Sequence, residues 1–255
     1  MKVLKYVTYM ILGLMPQAIS QTERKTGPYL KHAVISETGG MTHIDGNSPR
    51  PLAQILDALQ QKHGWVVDYE DPRFISKLDL MEDPESRASS SAPTYLPGGG
   101  RFSVEFPASA QEEETILRRV VDAYNLSDNP GRFELRKGTQ DILLVVGTQA
   151  RDLQGRLSHQ RPVFDVSITM AKQKRTASDT IKLICRKIAE QSRITVRVGV
   201  TPRNVLAHTE VTVGGSKIAA RELLLQTLTL TRRGLYWRLL FDPSTKVYFL
   251  DIHLI

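Results

Sequence analysis

The sequence predicts an α+β fold of two tandem small modules, each a short sheet packed by two helices in a β-α-β-β-α-β-like order. The first observation is that an amphipathic helix running into a strand occurs twice, at Pro51–Tyr69 and at Thr176–Val198. The second is that a turn-rich stretch, a strand, a helix, a loop and a strand follow each of them. A repeated order of elements indicates duplication, so we expect modules over about 21–150 and 162–255.

Residues 1–20 have the pattern of a secretory signal peptide. Two lysines give a positively charged start, and Val7–Met15 is an apolar run that is too short to cross a bilayer. Small residues stand at Ala18 and Ser20, the two positions that a signal peptidase reads. We therefore expect export to a bacterial periplasm, with an uncleaved N-terminal anchor as the alternative.

The first module is expected to contain a helix that begins at Pro51 and ends at Gly64. Proline is tolerated in a first helical turn, and glycine commonly ends a helix. The apolar residues have the i, i+3, i+4, i+7 spacing of one buried face: Leu52, Ile55, Leu56 and Leu59. Trp65–Val67 is expected to follow as a strand, whereas Glu37–Asn47, with three glycines, is expected to be a loop.

An insertion interrupts the first module after this strand. Residues 79–100 contain three prolines, a run of three serines and a triplet of glycines. This composition predicts a disordered loop or a weak docking segment. Beyond it we expect the strand Phe102–Phe106, a helix that starts near Ser109, and a hairpin over 133–146.

The second module is expected to begin with a strand over Val163–Met170, where apolar positions alternate. Ser178 is the expected N-cap of the next helix, and Ile194–Val198 is expected to be the strand that follows. Between the modules, Arg151–Arg161 is polar and suits a linker.

The rest of the second module contains one motif that resembles an anion site. Gly214–Lys217 (GGSK) precedes a predicted helix, but it lacks the spacing of a phosphate-binding loop. A turn in which Ser216 caps the helix is the favoured interpretation. Tyr236–Phe241 and Val247–Ile252 flank a turn with Asp and Pro in its first two positions, which predicts a closing hairpin.

The second half resembles the short N-terminal domain of secretins and TonB-dependent receptors (STN-like). The residues that carry the resemblance are Val211–Val213, the helix Ser216–Leu230, Gly234–Trp237 and Val247–Leu250. It covers about 162–255, and the first half resembles a divergent relative with a lengthened middle loop. The resemblance implies a periplasmic module that contacts partner proteins of a secretion or TonB-type envelope system, without catalytic residues or cofactors.

The two halves differ in charge. Residues 21–155 contain 15 basic and 20 acidic residues, a net charge of −5, and residues 156–255 contain 17 and 7, a net charge of +10. Such asymmetry indicates a partner of opposite sign. The candidates are the other half of the chain, a second copy in a homo-oligomer, and an anionic membrane surface that the chain would coat without spanning. Nucleic acid is not expected for an exported protein.

The sequence favours binding over catalysis. No G-x-S-x-G motif and no metal-binding spacing of histidines is present, so no catalytic, cofactor-binding or metal-binding residues are predicted. Cys185 is expected to be a small buried hydrophobe. Asp68, Glu70 and Asp71 follow a strand and are interpreted as solvated loop acids, with a carboxylate cluster as the alternative. An enzyme would need a deep pocket with converging polar groups.

The predicted function is a non-catalytic interaction or assembly module, and two sets of residues are candidates for it. A partner strand could add to a free sheet edge near Val163, Val166, Ile168, Val211 and Val213. Alternatively, an electrostatic adaptor would bind an anionic envelope surface through Arg186, Lys187, Arg193, Arg197, Arg232, Arg233 and Arg238. An uncharacterised enzyme remains the third possibility.

Overall fold

The computed structural model describes residues 32–83, 86, 93–110 and 112–255, so the predicted signal peptide lies outside the described residues. The elements up to residue 151 are β1 (Val34–Thr38), β2 (Met41–Gly46), α1 (Pro51–His63), β3 (Val67–Glu70), β4 (Leu80–Glu82), β5 (Tyr95–Pro97), β6 (Phe102–Pro107), α2 (Glu113–Leu126), β7 (Arg132–Lys137) and β8 (Leu143–Arg151). The remaining elements are β9 (Leu157–His159), β10 (Ser167–Thr176), α3 (Ala177–Ser192), β11 (Val196–Val198), α4 (Arg203–His208), β12 (Glu210–Ala219), α5 (Ala220–Leu230), β13 (Leu235–Asp242) and β14 (Val247–Leu254). The predicted α+β class is confirmed.

The two halves have the same connectivity. The first repeat runs β2-α1-β3-β6-α2-β7-β8, and the second repeat runs β10-α3-β11-β12-α5-β13-β14. In both, the first and third strands pair antiparallel, the second and last pair parallel, and the last two form a hairpin. The first repeat adds β1, which pairs with β2, and the small sheet β4–β5. The second repeat adds α4.

Strands from both repeats form one central sheet. Its order is β11-β14-β13-β3-β8-β7, with β9 pairing with the end of β8. The contact between the repeats is the parallel pair β13–β3, in which Arg238 lies opposite Tyr69 and Leu239 lies opposite Glu70. The two predicted modules are therefore joined edge to edge within a single sheet, and we call this contact the repeat joint.

The helices of the two repeats cover opposite faces of this sheet. Val67, Tyr69 and Val145 belong to the apolar core formed with α1 and α2. Trp237 and Leu239 belong to the core formed with α3 and α5. Each repeat thus has the same strand order but the opposite strand direction and helix face. The repeats are consequently related by a half-turn about an axis that runs across the strands.

The sequence reading of 37–47 as a loop is wrong, because β1 and β2 form a hairpin there. Gly39 and Gly40 occupy its two-residue turn with φ of 60° and 76°. Positive φ at both positions is the geometry that two-residue hairpins favour and that glycine adopts readily. The glycines therefore mark a tight turn between strands.

The insertion is partly ordered. Within the range predicted to be disordered, 79–100, the strands β4 and β5 pair antiparallel, while residues 84, 85 and 87–92 lie outside the described part. Asp79 is buried and accepts a hydrogen bond from the backbone N–H of Arg151 at 3.0 Å. Leu96 is also buried, so core contacts hold both ends of the insertion.

Element boundaries in the second repeat also differ from the sequence prediction. Val163 lies in a short 3-10 turn, and the strand begins only at Ser167. The N-cap of α3 is Thr176, whose hydroxyl accepts the N–H of Asp179 at 3.0 Å, so Ser178 is inside the helix.

The GGSK motif lies in strand β12 and does not cap a helix. A Cβ added to Gly214 would lie 2.5 Å from the carbonyl oxygen of Ala171, so glycine permits the close approach of β10 and β12 at an irregularity in their register. The following helix α5 begins only at Ala220. The motif is therefore a feature of strand packing, and Ser216 is not the cap.

Among the described helices, none is both long enough and apolar enough to cross a membrane.

Candidate functional site

The repeat joint is built around acidic residues of the first repeat that bind groups of the second. Asp68 lies on β3 and is buried, and its Oδ1 accepts the backbone N–H of Trp237 at 2.9 Å. The backbone N–H of Asp71 donates to the carbonyl oxygen of Leu239 at 2.9 Å. Only two residue pairs form the strand contact, so side chains supply most of the joint's polar contacts.

Asp71 holds β3 against β13 through its carboxylate. Its Oδ2 accepts the Nε–H of Arg50 at 2.7 Å and the backbone N–H of Phe241 at 2.9 Å. Its Oδ1 accepts the hydroxyl of Tyr69 at 2.7 Å. Arg50 also donates to the carbonyl oxygen of Phe241. A buried carboxylate with this many donors is well compensated for its lost hydration.

Glu70 connects β3 to two further elements of the second repeat, the helix α5 and the turn that precedes β10. Its Oε2 accepts Nη2–H of Arg221 on α5 at 2.6 Å. Its Oε1 accepts the backbone N–H groups of Val163 and Phe164, in the turn that precedes β10. Arg221 also bonds Asp165 at 3.0 Å. This single carboxylate therefore fixes both the start of β10 and the start of α5.

Arg238 of β13 is a buried cation that the second repeat contributes to the joint. It is 0% exposed, and its guanidinium bonds Oδ1 of Asp57 on α1, with 2.6 Å from Nη2 and 3.0 Å from Nε. It also donates to the side-chain oxygen of Gln60 and to the carbonyl oxygen of Val67. The expectation that Arg238 faces an anionic surface is therefore wrong, because its side chain is fully buried and bonds groups of the first repeat.

The interpretation of Asp68, Glu70 and Asp71 as solvated loop acids is also wrong. All three are at most 1% exposed, and each accepts a hydrogen bond from the second repeat. Burial raises the pKa of Asp68 to about 7, against the opposing effect of the Trp237 N–H and of Arg238. Burial likewise raises the pKa of Glu70, against the attraction of Arg221. The three acids lie at the contact between the repeats, so their contacts explain the cohesion of the fold.

The five residues predicted to mark a free strand edge lie together around the β10–β12 ribbon. Val163 and Val166 precede β10, Ile168 lies in it, and Val211 and Val213 lie in β12. All five side chains are buried, which shows that they face the core. An added strand would therefore meet the backbone and the exposed side chains of β10 or of β12, since among the described strands each pairs only with the other.

A groove runs beside the first residues of β10. One part has a volume of about 520 Å³ and lies between Ser167–Thr169 and the last turns of α3. An adjoining part of about 310 Å³ shares Ser167 and Gln191. Lys187, Lys217 and Arg161 contribute positive charge to the lining, and Glu190 contributes negative charge.

The corresponding groove of the first repeat is filled by β1. Lys62 in the last turn of α1 contacts Glu37 of β1, and Ile35 of β1 packs against the core. Matching the C-caps of the two helices, Gly64 and Arg193, places Lys62 at the position of Gln191, which lines the open groove. Within the described residues, β10 pairs only with β12, whereas β2 pairs with both β1 and β6.

The other residues proposed to face an anion are spread over several elements. Arg186 and Lys187 lie on α3 and contact Glu190, and Arg197 lies exposed on β11. Arg193 lines a groove of about 480 Å³ with Arg73 and Lys246. Arg232 and Arg233 are exposed beyond α5.

Cys185 is buried on α3, as expected from its spacing. Burial raises the pKa of its thiol to about 12, so the thiol stays protonated and is a weak nucleophile. In the described part of the chain, no group of three or more His, Cys, Asp or Glu side chains is placed to hold a metal ion.

The sequence contained signals for the repeat joint that composition alone did not reveal. Arg238 interrupts the apolar run LYWRLLF, and a charge within a buried strand requires a partner. Asp68 and Glu70 alternate with Val67 and Tyr69, so one face of β3 is acidic and the other apolar. The partners come from the other half of the chain, although they are not the charges of the facing strand: Arg238 pairs with Asp57 of α1, and Glu70 pairs with Arg221 of α5.

Searches of protein-family models, curated proteins and solved structures find no match to this chain.

Proposed function

We propose that this protein is a non-catalytic interaction module of the bacterial cell envelope that binds an extended segment of a partner protein along β10. The observation that carries the proposal is the difference between the repeats: β1 occupies the groove beside β2, and the equivalent groove beside β10 is open among the described residues. A strand added there would satisfy backbone groups that a sheet edge leaves unpaired.

The ladder geometry indicates which groups would bind. The carbonyl oxygen of Val166 accepts the N–H of Ala220, so the backbone groups of Val166 and Ile168 point toward β12. Because alternate residues of an antiparallel strand point to opposite sides, those of Ser167 and Thr169 point away from it, toward the added strand. Several basic side chains around the groove favour an acidic partner segment.

Two further observations support an envelope role. The leader pattern of residues 1–20 is that of an exported protein, and the resemblance of 162–255 to the STN-like domain implies a periplasmic module of a secretion or TonB-type system. The function therefore rests on binding, with the repeat joint providing a rigid support for the β10 edge.

The first test is Ser167→Pro. Proline at this position removes an outward N–H without removing a bond to β12, and Val166 already has the extended backbone (φ −65°, ψ 126°) that proline requires before it. We expect the variant to lose about tenfold or more of its affinity for the partner while its melting temperature is unchanged. Affinity capture from periplasmic extract, followed by titration of the purified partner, measures this.

The matched control is Ser167→Ala, which keeps the N–H and should bind normally. In the purified complex, amide exchange at Ser167 and Thr169 should slow relative to the free protein. Equal binding by the proline and alanine variants would contradict strand addition at β10. Binding that is equal in both variants but collapses at moderate salt would instead identify the electrostatic adaptor, because exposed charges are screened within about 10 Å.

A further inference from the structure

We propose that copies of this protein associate head to tail, with β7 of one molecule pairing with β11 of the next and repeating the joint between β13 and β3. The interaction uses the two ends of the central sheet and not the β10 groove. The test of self-association is therefore independent of whether a partner binds along β10.

The repeat symmetry places the two ends in register. β7 has the same position in the first repeat as β13 in the second, and β11 has the same position as β3. Applying the half-turn and shift that relate the repeats once more brings β11 of a second molecule parallel to β7. In the described part of the chain, β7 pairs only with β8, and β11 pairs only with β14.

Strand register gives the correspondence residue by residue. Leu135 of β7 lies opposite Val145, and Leu239 of β13 lies opposite Leu250. Val145 and Leu250 are themselves equivalent, because they pair with the third residues of β3 and β11. The two leucines are therefore equivalent, and so are the residues just before them, Glu134 and Arg238.

Helix ends give the second correspondence. Gly64 and Arg193 are the C-caps of α1 and α3, both left-handed, with φ of 72° and 59°. Each precedes the first residue of its following strand by three positions. The residues seven positions before these caps are Asp57 and Arg186, which are therefore equivalent.

Together these correspondences show an ion pair with its charges exchanged. Inside the molecule Arg238 of β13 binds Asp57 of α1. At the outer ends the equivalent residues are Glu134 of β7 and Arg186 of α3. Both side chains are more than half exposed, and each contacts only a local partner of its own segment in the described structure. The acidic first repeat of one molecule would thus meet the basic second repeat of another.

The external joint is expected to be weaker than the internal one. The outward N–H and C=O of Phe133 are already bonded to the side chain of Asn125 at 2.9 and 2.7 Å, so pairing is limited to Leu135 and the residues after it. Leu240, which packs into the first core, corresponds to the charged Arg136. The result is a reversible, salt-sensitive contact. Because its two surfaces differ, it builds open chains or rings rather than a closed pair.

Charge reversal tests the proposal. Glu134→Arg and Arg186→Glu should each lower the self-association constant by about tenfold, because an attractive pair becomes a repulsive one. Mixing the two variants should restore assembly, since each supplies the complement that the other lacks. Sedimentation velocity over a concentration series at low salt, on the mature chain, measures all three samples.

Glu105→Arg and Arg233→Glu are matched controls, because they change the net charge equally at exposed positions away from both ends of the sheet. They should assemble like the unmodified chain. A chain that remains monomeric at all soluble concentrations, assembly that stops at a dimer without closing a larger ring, or a mixture no better than its components would overturn the proposal.

Crosslinking gives a second readout that does not depend on charge. By the register of the internal joint, Glu134 would lie opposite Val198 of the next molecule. The double variant Glu134→Cys/Val198→Cys should form a ladder of disulfide-linked dimers, trimers and larger species on a non-reducing gel. Native Cys185 is buried and should not contribute. Monomers alone, under oxidising conditions, would contradict the pairing.

Discussion

Arg238→Met is expected to lower the free energy of unfolding by about 3 kcal/mol, because it removes the cation at the centre of the repeat joint. Methionine retains much of the apolar stem, so the loss reports mainly the guanidinium contacts. Those contacts reach Asp57, Gln60 and the carbonyl oxygen of Val67, all in the first repeat. Urea denaturation at neutral pH measures the change.

The control for this prediction is Arg118→Met. Arg118 forms an exposed i,i+4 pair with Glu114, and such pairs contribute about 0.3–0.5 kcal/mol. A loss of less than about 1 kcal/mol for Arg238→Met would show that the joint does not depend on this ion pair. Separate unfolding transitions for the two repeats in the unmodified protein would show that the sheet does not unite them.

Asp68→Asn is expected to remove a pH dependence of stability. Burial raises the pKa of Asp68 to about 7 in the folded protein, above the usual value of about 3.8. The folded state therefore favours the neutral carboxyl, and the stability that this provides is complete below pH 4 and lost as pH rises through 7. Asparagine stays neutral and retains an oxygen to accept the Trp237 N–H.

The variant should consequently gain stability relative to the unmodified protein as pH rises from 4.5 to 8, by up to a few kcal/mol on a scale of about 1.4 kcal/mol per pKa unit. Urea denaturation at several pH values measures the difference. Asp152→Asn is the control, because the Arg156 N–H lowers the pKa of that partly exposed carboxyl, which therefore does not titrate in this range. If the free energy of unfolding of Asp68→Asn differed from that of the unmodified protein by the same amount at every pH, a neutral buried Asp68 would be contradicted.

Much of the fold could be predicted from periodic patterns. The face of α1, the C-cap Gly64 and the hairpin β13–β14 all follow from local spacing and turn residues, and the structure confirms them. The repeated order of helix and strand was likewise a local signal. The β1–β2 hairpin was missed because two adjacent glycines are compatible with either a loop or a tight turn.

Sheet order could not be predicted, because it depends on which strands of distant segments pair. The pairing of β13 with β3 joins residues about 170 positions apart, and the hydrophobic pattern of each strand is the same in either arrangement. Only the acids of β3 and the isolated Arg238 indicated a partner. Which groups bind these charged side chains is known only when the structure places the two strands side by side.

The sequence offered two strands as the candidate binding edge and did not distinguish between them. The predicted edge lay near both Val163–Met170 and Val211–Val213, and the apolar side chains of these segments face the core. What distinguishes β10 is the comparison with β2, whose edge is covered by β1. The sequence did not reveal this difference between β2 and β10, because the range 37–47, which holds the end of β1 and all of β2, was interpreted as a loop.

The measurement that most directly tests the account is native-state hydrogen exchange at single-residue resolution. If the repeats share one sheet and leave its ends and the β10 edge exposed, amides of Asp71 and Trp237 in the joint should exchange only on global unfolding. Amides of Leu135, Val198 and Ser167, which point outward, should exchange orders of magnitude faster in the dilute protein. Rapid exchange of Asp71 and Trp237, or strong protection of the three outward amides in the monomer, would contradict it.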